Sequence, residues 1–186
     1  MNDKNARRAE LLDALDRGNL QGAIAGFIPG GAYEVYHNGE LVEIAANIVP
    51  AAARSYLLKA GVAGGAQISA WYGMPFINAV DPTDALTAAN FDATLDEFTN
   101  YSEATRPAWV QEAESGQAIV NGTTLMSITI GAGADQVING FALVSTNTKG
   151  GSGGTLLSAF RFAAERPVQE GDVLEFKYTV QAQPAA

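Results

Sequence analysis

The stretch at residues 173–181, VLEFKYTVQ, shows the clearest strand pattern in this sequence. Its residues alternate, with Leu174, Phe176, Tyr178 and Val180 on one side and Glu175, Lys177 and Thr179 on the other. A period of two residues with one apolar side is typical of a β-strand that buries one face. We therefore expect a strand here, with its apolar side in a hydrophobic core.

The same period recurs through the second two thirds of the chain. It predicts further strands over residues 67–72, 95–101, 117–120, 123–130, 136–145 and 155–162. Because these short strands follow one another without helices between them, the sequence predicts a mainly β fold. We expect an antiparallel β-sandwich or barrel, of the jelly-roll or immunoglobulin-like kind.

The N-terminal third has a different character. Helical spacing predicts a short amphipathic helix over residues 5–17, whose apolar side carries Leu11, Leu12 and Leu15. Residues 18–31 are rich in glycine and predict an extended stretch that contains Phe27 and Ile28. A short helix of this kind is only marginally stable alone, so it needs a surface to lie on.

Two local signals follow this stretch. Asn38-Gly39 stands between two short alternating runs and predicts a tight β-hairpin. A helix is predicted over residues 50–60, because Pro50 lies in its first turn and Gly61 follows its end. We therefore divide the chain into an N-terminal helical and extended arm, residues 1–65, and an antiparallel β domain, residues 66–186.

Composition limits the chemistry of the chain. It has 186 residues, 47% of them hydrophobic, with no cysteine and a single histidine, His37, beside the predicted turn. Thiolate nucleophiles and clusters of nitrogen and sulfur metal ligands are therefore not expected. No apolar run reaches the roughly 18 residues of a membrane span. The charged N-terminus lacks the apolar core of a signal peptide, so we expect synthesis in a cytoplasm.

The negative charge is concentrated in one segment. The net charge is −9, and Arg106 is the one basic residue between Asp81 and Gln117. Eight acids lie in that segment: Asp81, Asp84, Asp92, Asp96, Glu97, Glu103, Glu112 and Glu114. Such a surface repels phosphate backbones, so the sequence predicts no nucleic-acid partner.

The glycine-rich stretch KGGSGGT, residues 149–155, resembles a phosphate-binding loop only in its glycines. A phosphate-binding loop ends in Gly-Lys-Ser/Thr and opens a helix, whereas here a strand-like run follows. We expect a flexible hairpin loop instead. The sequence predicts no catalytic residue, no cofactor and no metal ligand, and thus a protein that is not an enzyme.

The most polar motif is YSEATRPAW, residues 101–109. It contains an acid, a base and two hydroxyls, but neither a partner base nor a metal ligand that would make a reaction centre. We expect a structural motif built from four side chains: Tyr101, Glu103, Arg106 and Trp109. In this interpretation Glu103 and Arg106 form an ion pair across a turn, and Trp109 lies over the arginine stem.

Five blocks of sequence carry a family resemblance. They are NIVPAAARSYLL (47–58), QISAWYGMPF (67–76), YSEATRPAW (101–109), GFALVSTNTKGGSGGTLLSA (140–159) and PVQEGDVLEFKYTV (167–180). Together, and in this order, they resemble a family of structural proteins from tailed bacteriophages. The resemblance covers roughly residues 45–181.

This resemblance implies a non-enzymatic part of a virion. It favours a capsid cement or decoration protein that stabilises the shell of major capsid protein on the outer capsid surface, commonly as a trimer. Leu11, Leu12, Leu15, Phe27 and Ile28 would then contact a partner subunit. The alternative for the leucines is that their helix folds back onto its own domain.

Two other functions stay open from the sequence. One is a tail, neck or fibre-anchor position in the virion. The other is a carbohydrate- or receptor-binding β-sandwich, in which Trp71, Tyr72 and Trp109 would stack on the ligand.

Overall fold

The computed structural model describes residues 28–133 and 136–183. Within these residues, eight strands and two helices follow one another. They are β1 (Ile28–His37), β2 (Glu40–Ala46), α1 (Ala51–Gly61), β3 (Tyr72–Phe76), α2 (Phe91–Leu95), β4 (Ala118–Val120), β5 (Met126–Thr129), β6 (Gln136–Val144), β7 (Leu156–Val168) and β8 (Val173–Gln183).

The strands form two antiparallel sheets. In the first sheet the order is β2-β1-β8, and β4 and β5 both pair with the free side of β8. The second sheet has the order β3-β6-β7. The strand predicted from VLEFKYTVQ is thus the central element of the first sheet, and the predicted antiparallel fold is confirmed.

The two sheets pack face to face around an aromatic core. The ring of Phe141 in β6 stacks on that of Phe176 in β8 at 3.6 Å between centroids. The ring of Tyr33 in β1 stacks on that of Phe160 in β7 at 4.5 Å between centroids. These contacts across the two layers make the fold a β-sandwich. A smaller cluster, including Met74 and Phe91, covers the opposite side of the second sheet.

The predicted hairpin and the second helix are both confirmed. Asn38 and Gly39 have φ angles of 50° and 77°, which is the left-handed pair that a two-residue type I′ turn requires. The helix α1 begins at Ala51, directly after Pro50. Its residues Tyr56 and Leu57 pack against the main core.

The predicted boundary at residue 65 assigns the β1–β2 hairpin to the N-terminal arm, and this assignment is wrong. Strand β1 lies between β2 and β8 in the first sheet, and Tyr33 and Val35 are fully buried in the core. Residues 28–46 therefore belong to the β domain rather than to an arm. The second partner of β1, β8, lies far away in the sequence, so no local pattern could reveal this pairing. The predicted helix over residues 5–17 lies outside the described residues.

Two predicted strands differ from the structure. Strand β3 begins at Tyr72, so residues 67–71 form no strand, although the carbonyl of Trp71 accepts a backbone hydrogen bond from Trp109. The strand predicted over 95–101 is wrong, because α2 ends at Leu95 and Asp96 follows with a φ of 58°. A left-handed residue turns the chain out of the extended form, so the alternation of residues 95–101 does not produce a ladder.

Candidate functional site: the Arg106 corner

Arg106 is the largest fully buried side chain among the residues described, with 1% of its surface exposed. Its Nε donates to Glu97 Oε1 at 2.8 Å and its Nη2 to Glu97 Oε2 at 2.6 Å. This two-bond pairing matches the planar guanidinium to the carboxylate and is the strongest form of such an ion pair. The motif YSEATRPAW is therefore centred on a buried charge pair.

The remaining donors of Arg106 hold the loop between β6 and β7. Nη1 donates to the carbonyl and the hydroxyl of Thr146, both at 3.0 Å, and Nη2 donates to the carbonyl of Gly151 at 2.9 Å. Glu97 Oε2 also accepts from the backbone N–H of Gly150 at 2.8 Å. All five N–H groups of the guanidinium are thus used.

The glycine-rich loop has a more definite structure than predicted. It connects two neighbouring strands as expected, but it is tied to Arg106 and Glu97 by the bonds just described. Within the loop, Lys149 Nζ donates to the backbone carbonyl of Tyr101 at 2.6 Å. The same nitrogen lies 3.6 Å from the centre of the Tyr101 ring. Desolvation lowers the pKa of Lys149, and burial raises the pKa of Tyr101. The loop is therefore fastened to the motif at two points.

The partners predicted for Arg106 are wrong. Glu103 does not pair with it, but accepts the backbone N–H of Thr129 at 3.0 and 3.1 Å. Trp109 does not cover the arginine stem: it packs in the main core, 5.3 Å from the ring of Tyr178. Glu103 is closer in sequence, but the turn after Leu95 brings Glu97 to the buried side instead.

Sequence reasoning missed Glu97, Thr146 and Lys149. Glu97 lies between the apolar Leu95 and Phe98. It is one of the eight acids of the segment, and nothing in the sequence distinguishes it from the others as the partner of Arg106. Thr146 and Lys149 occupy a block that the resemblance had already singled out, which was the only available signal.

The single histidine takes part in a second corner. His37 Nε2 lies 3.0 Å from Asp172 Oδ2, and Asn38 Nδ2 donates to Asp172 Oδ1 at 2.9 Å. The backbone N–H of Gln169 also donates to this carboxylate. Hydrogen bonds, that from Asn38 first, lower the pKa of Asp172. These contacts join the β1–β2 turn to the turn before β8.

Two acids of the charged segment pair with bases elsewhere in the fold. Asp84 binds Arg54 and Asp81 binds Arg161. In the part of the chain that the structure describes, no group of three or more histidine, aspartate or glutamate side chains converges as a metal site. None of the helices within residues 28–133 and 136–183 is long and apolar enough to cross a membrane.

Comparison of the chain with models of protein families and with curated proteins gives no match.

Proposed function

We propose that this chain is a structural protein of a tailed-bacteriophage virion, and most specifically a capsid cement or decoration protein. The proposed partner is the major capsid protein, and the proposed location is the outer capsid surface. A trimer is the favoured oligomer. The proposal joins the family resemblance to one observation about how its five blocks assemble.

The five blocks hold one another in place. Ile48 of the first block and Ala159 of the fourth exchange backbone hydrogen bonds of 2.9 and 3.2 Å. The backbone N–H of Trp109, in the third block, donates to the carbonyl of Trp71, in the second, at 2.8 Å. Arg106 of the third block binds the loop of the fourth, and Trp109 also contacts Tyr178 of the fifth.

The polar groups of these blocks therefore bind one another and hold the fold together. Arg106 and Glu97 face each other and the loop, with 0% and 2% of their side chains exposed. A motif of this kind fixes the shape of a domain, which is what a protein needs when it must match a repeating surface. This supports a structural role over a catalytic one.

The carbohydrate-binding alternative loses two of its three proposed residues, whereas the third, Tyr72 in β3, is half-buried. Trp71 and Trp109 are 5% and 6% exposed and belong to the main core, so their rings are not available to stack on a sugar. The tail, neck or fibre-anchor position keeps its standing as the second candidate, because it requires the same kind of rigid domain.

The test is to titrate the full-length chain onto purified capsids of the phage that encodes it and to count bound copies per particle. We expect saturation at a copy number set by the capsid lattice, with little binding to unassembled major capsid protein. Binding of only a few copies at one vertex would favour the tail or neck. No binding to capsids at any concentration would overturn the proposal of a cement protein.

The structure also determines where a truncation of the N-terminal arm can end. Removing residues 1–45 would delete β1 and most of β2, and with them the buried Tyr33 and Val35. A truncation that tests the arm should end before Ile28, the first residue of β1.

A further inference from the structure

The outer face of the first sheet carries apolar side chains that belong to neither core cluster. In the antiparallel register Glu34 lies opposite Ile44 and Lys177, and Tyr36 lies opposite Leu41. Residues opposite each other in a ladder share a face. This face is turned away from the sandwich core, because Glu34 alternates with the core residues Tyr33 and Val35.

These outer side chains are nevertheless buried. Glu34, Leu41 and Ile44 are 6%, 8% and 9% exposed. Of the two described helices, α1 packs against β7 and α2 contributes to the cluster on the second sheet. Neither of these helices therefore packs on this face.

We propose that the predicted helix of residues 5–17 docks on this face, with Leu11, Leu12 and Leu15 against Leu41, Ile44 and the ring of Tyr36. This assigns the leucines a site on their own chain, which was one of the two alternatives left open by the sequence. The inference goes beyond the proposed function and does not depend on it.

The length of the preceding chain fits this site. Twenty-seven residues precede Ile28, which opens β1 in this same sheet. A helix of thirteen residues is about 20 Å long, and the ten residues of β1 rise about 34 Å. The ten-residue connection over 18–27 can span at most about 33–36 Å. The helix can therefore turn back and lie along the strands.

Charge complements the apolar contact. Glu34 is buried on this face, where it binds Lys177 Nζ at 3.1 Å and the hydroxyl of Tyr36 at 2.7 Å. Arg8 precedes Leu11, Leu12 and Leu15 at helical spacing, so a helix that places these leucines on the sheet also brings a guanidinium to it.

The absence of cysteine permits a clean test by disulfide capture in the full-length chain. Leu15→Cys combined with Ile44→Cys should form an intrachain disulfide on mild oxidation. The matched control is Asp13→Cys with Ile44→Cys, because Asp13 lies on the opposite side of the predicted helix. We expect the Leu15 pair to close at least about tenfold faster, since docking raises its effective concentration.

A second control uses Leu58, which is exposed on α1. Leu15→Cys with Leu58→Cys should close no faster than the Asp13 control. Equal rates for the Leu15–Ile44 pair and either control would overturn the proposal. Disulfides that link two chains at low protein concentration would also overturn it, and would indicate that a second copy supplies the helix. If Ile44→Cys impairs folding, Leu41→Cys takes its place in the same comparison.

Discussion

Two arginine–carboxylate pairs in this chain have similar geometry and opposite surroundings. Arg106 binds both oxygens of Glu97 at 2.8 and 2.6 Å, and Arg54 binds both oxygens of Asp84 at 2.6 and 3.0 Å. The first pair is 0% and 2% exposed at its side chains, and the second is 45% and 64% exposed. The pairs differ in burial, and Arg106 also donates hydrogen bonds to Thr146 and Gly151.

Burial changes what each pair does for the fold. In water the attraction between exposed charges is weak and is screened by salt, so the Arg54 pair contributes little to stability. In the interior a lone charge is costly, so each partner of the Arg106 pair depends on the other. The His37–Asp172 pair, with 22% of each side chain exposed, lies between the two.

The largest effect should come from Arg106→Ala. This change leaves Glu97 as an uncompensated buried charge and releases Thr146 and Gly151, so we expect a loss of about 3–5 kcal/mol in the free energy of unfolding. Urea denaturation measures it. A loss below about 1 kcal/mol would mean that the corner is not the buried pair described above.

A double-mutant cycle should then show that the loss belongs to the pair. Glu97→Leu with Arg106→Met removes both charges at similar volume, and we expect it to be more stable than Arg106→Ala. The coupling energy between Glu97→Leu and Arg106→Met should be about 2 kcal/mol, because either single change leaves the charge of the other residue buried and unpaired. Additive single and double changes would contradict this interpretation.

Acid should weaken the contact between His37 and Asp172, the pair of intermediate exposure. The folded state lowers the pKa of Asp172, so its carboxylate stabilises the protein above the unfolded pKa of about 3.9. That stabilisation is lost as pH falls through the lower folded pKa. The free energy of unfolding of the wild type should therefore fall more steeply in this range than that of Asp172→Asn. If the free energy of unfolding falls with pH in parallel for the two proteins, Asp172 does not stabilise the fold in this way.

The smallest effect should come from Arg54→Ala at the exposed pair. We expect no measurable change in the urea midpoint at physiological salt, because the two charges are well solvated without each other. Any difference seen at low salt should vanish as salt is added. A salt-independent loss comparable with that of Arg106→Ala would show that geometry, rather than burial, sets the strength of these pairs.

The prediction of local structure succeeded where one short stretch contains the whole cause. The turn at Asn38-Gly39 forms as expected, because both residues tolerate the left-handed conformation that a two-residue hairpin requires. The same holds for α1, which starts after Pro50, and for β8, whose alternation makes one apolar face. Each of these signals lies within about a dozen residues.

Prediction failed where the cause is distant in sequence. The hairpin of β1 and β2 was assigned to an arm, yet β1 pairs along its whole length with β8, so that Tyr33 lies opposite Tyr178. The ion pair of Arg106 was assigned to Glu103, which is closer in sequence than Glu97. In both cases nothing in the sequence indicated the more distant partner, β8 or Glu97.

The sequence by itself determined the antiparallel β class, the type I′ hairpin and the helix α1. These follow from backbone preferences and from side-chain alternation, which are local properties. The tertiary structure decided which strands share a sheet and which carboxylate neutralises Arg106. It also decided that the loop after β6 closes over that pair. Those outcomes depend on which surfaces and charges leave water together, and only the folded chain brings them into contact.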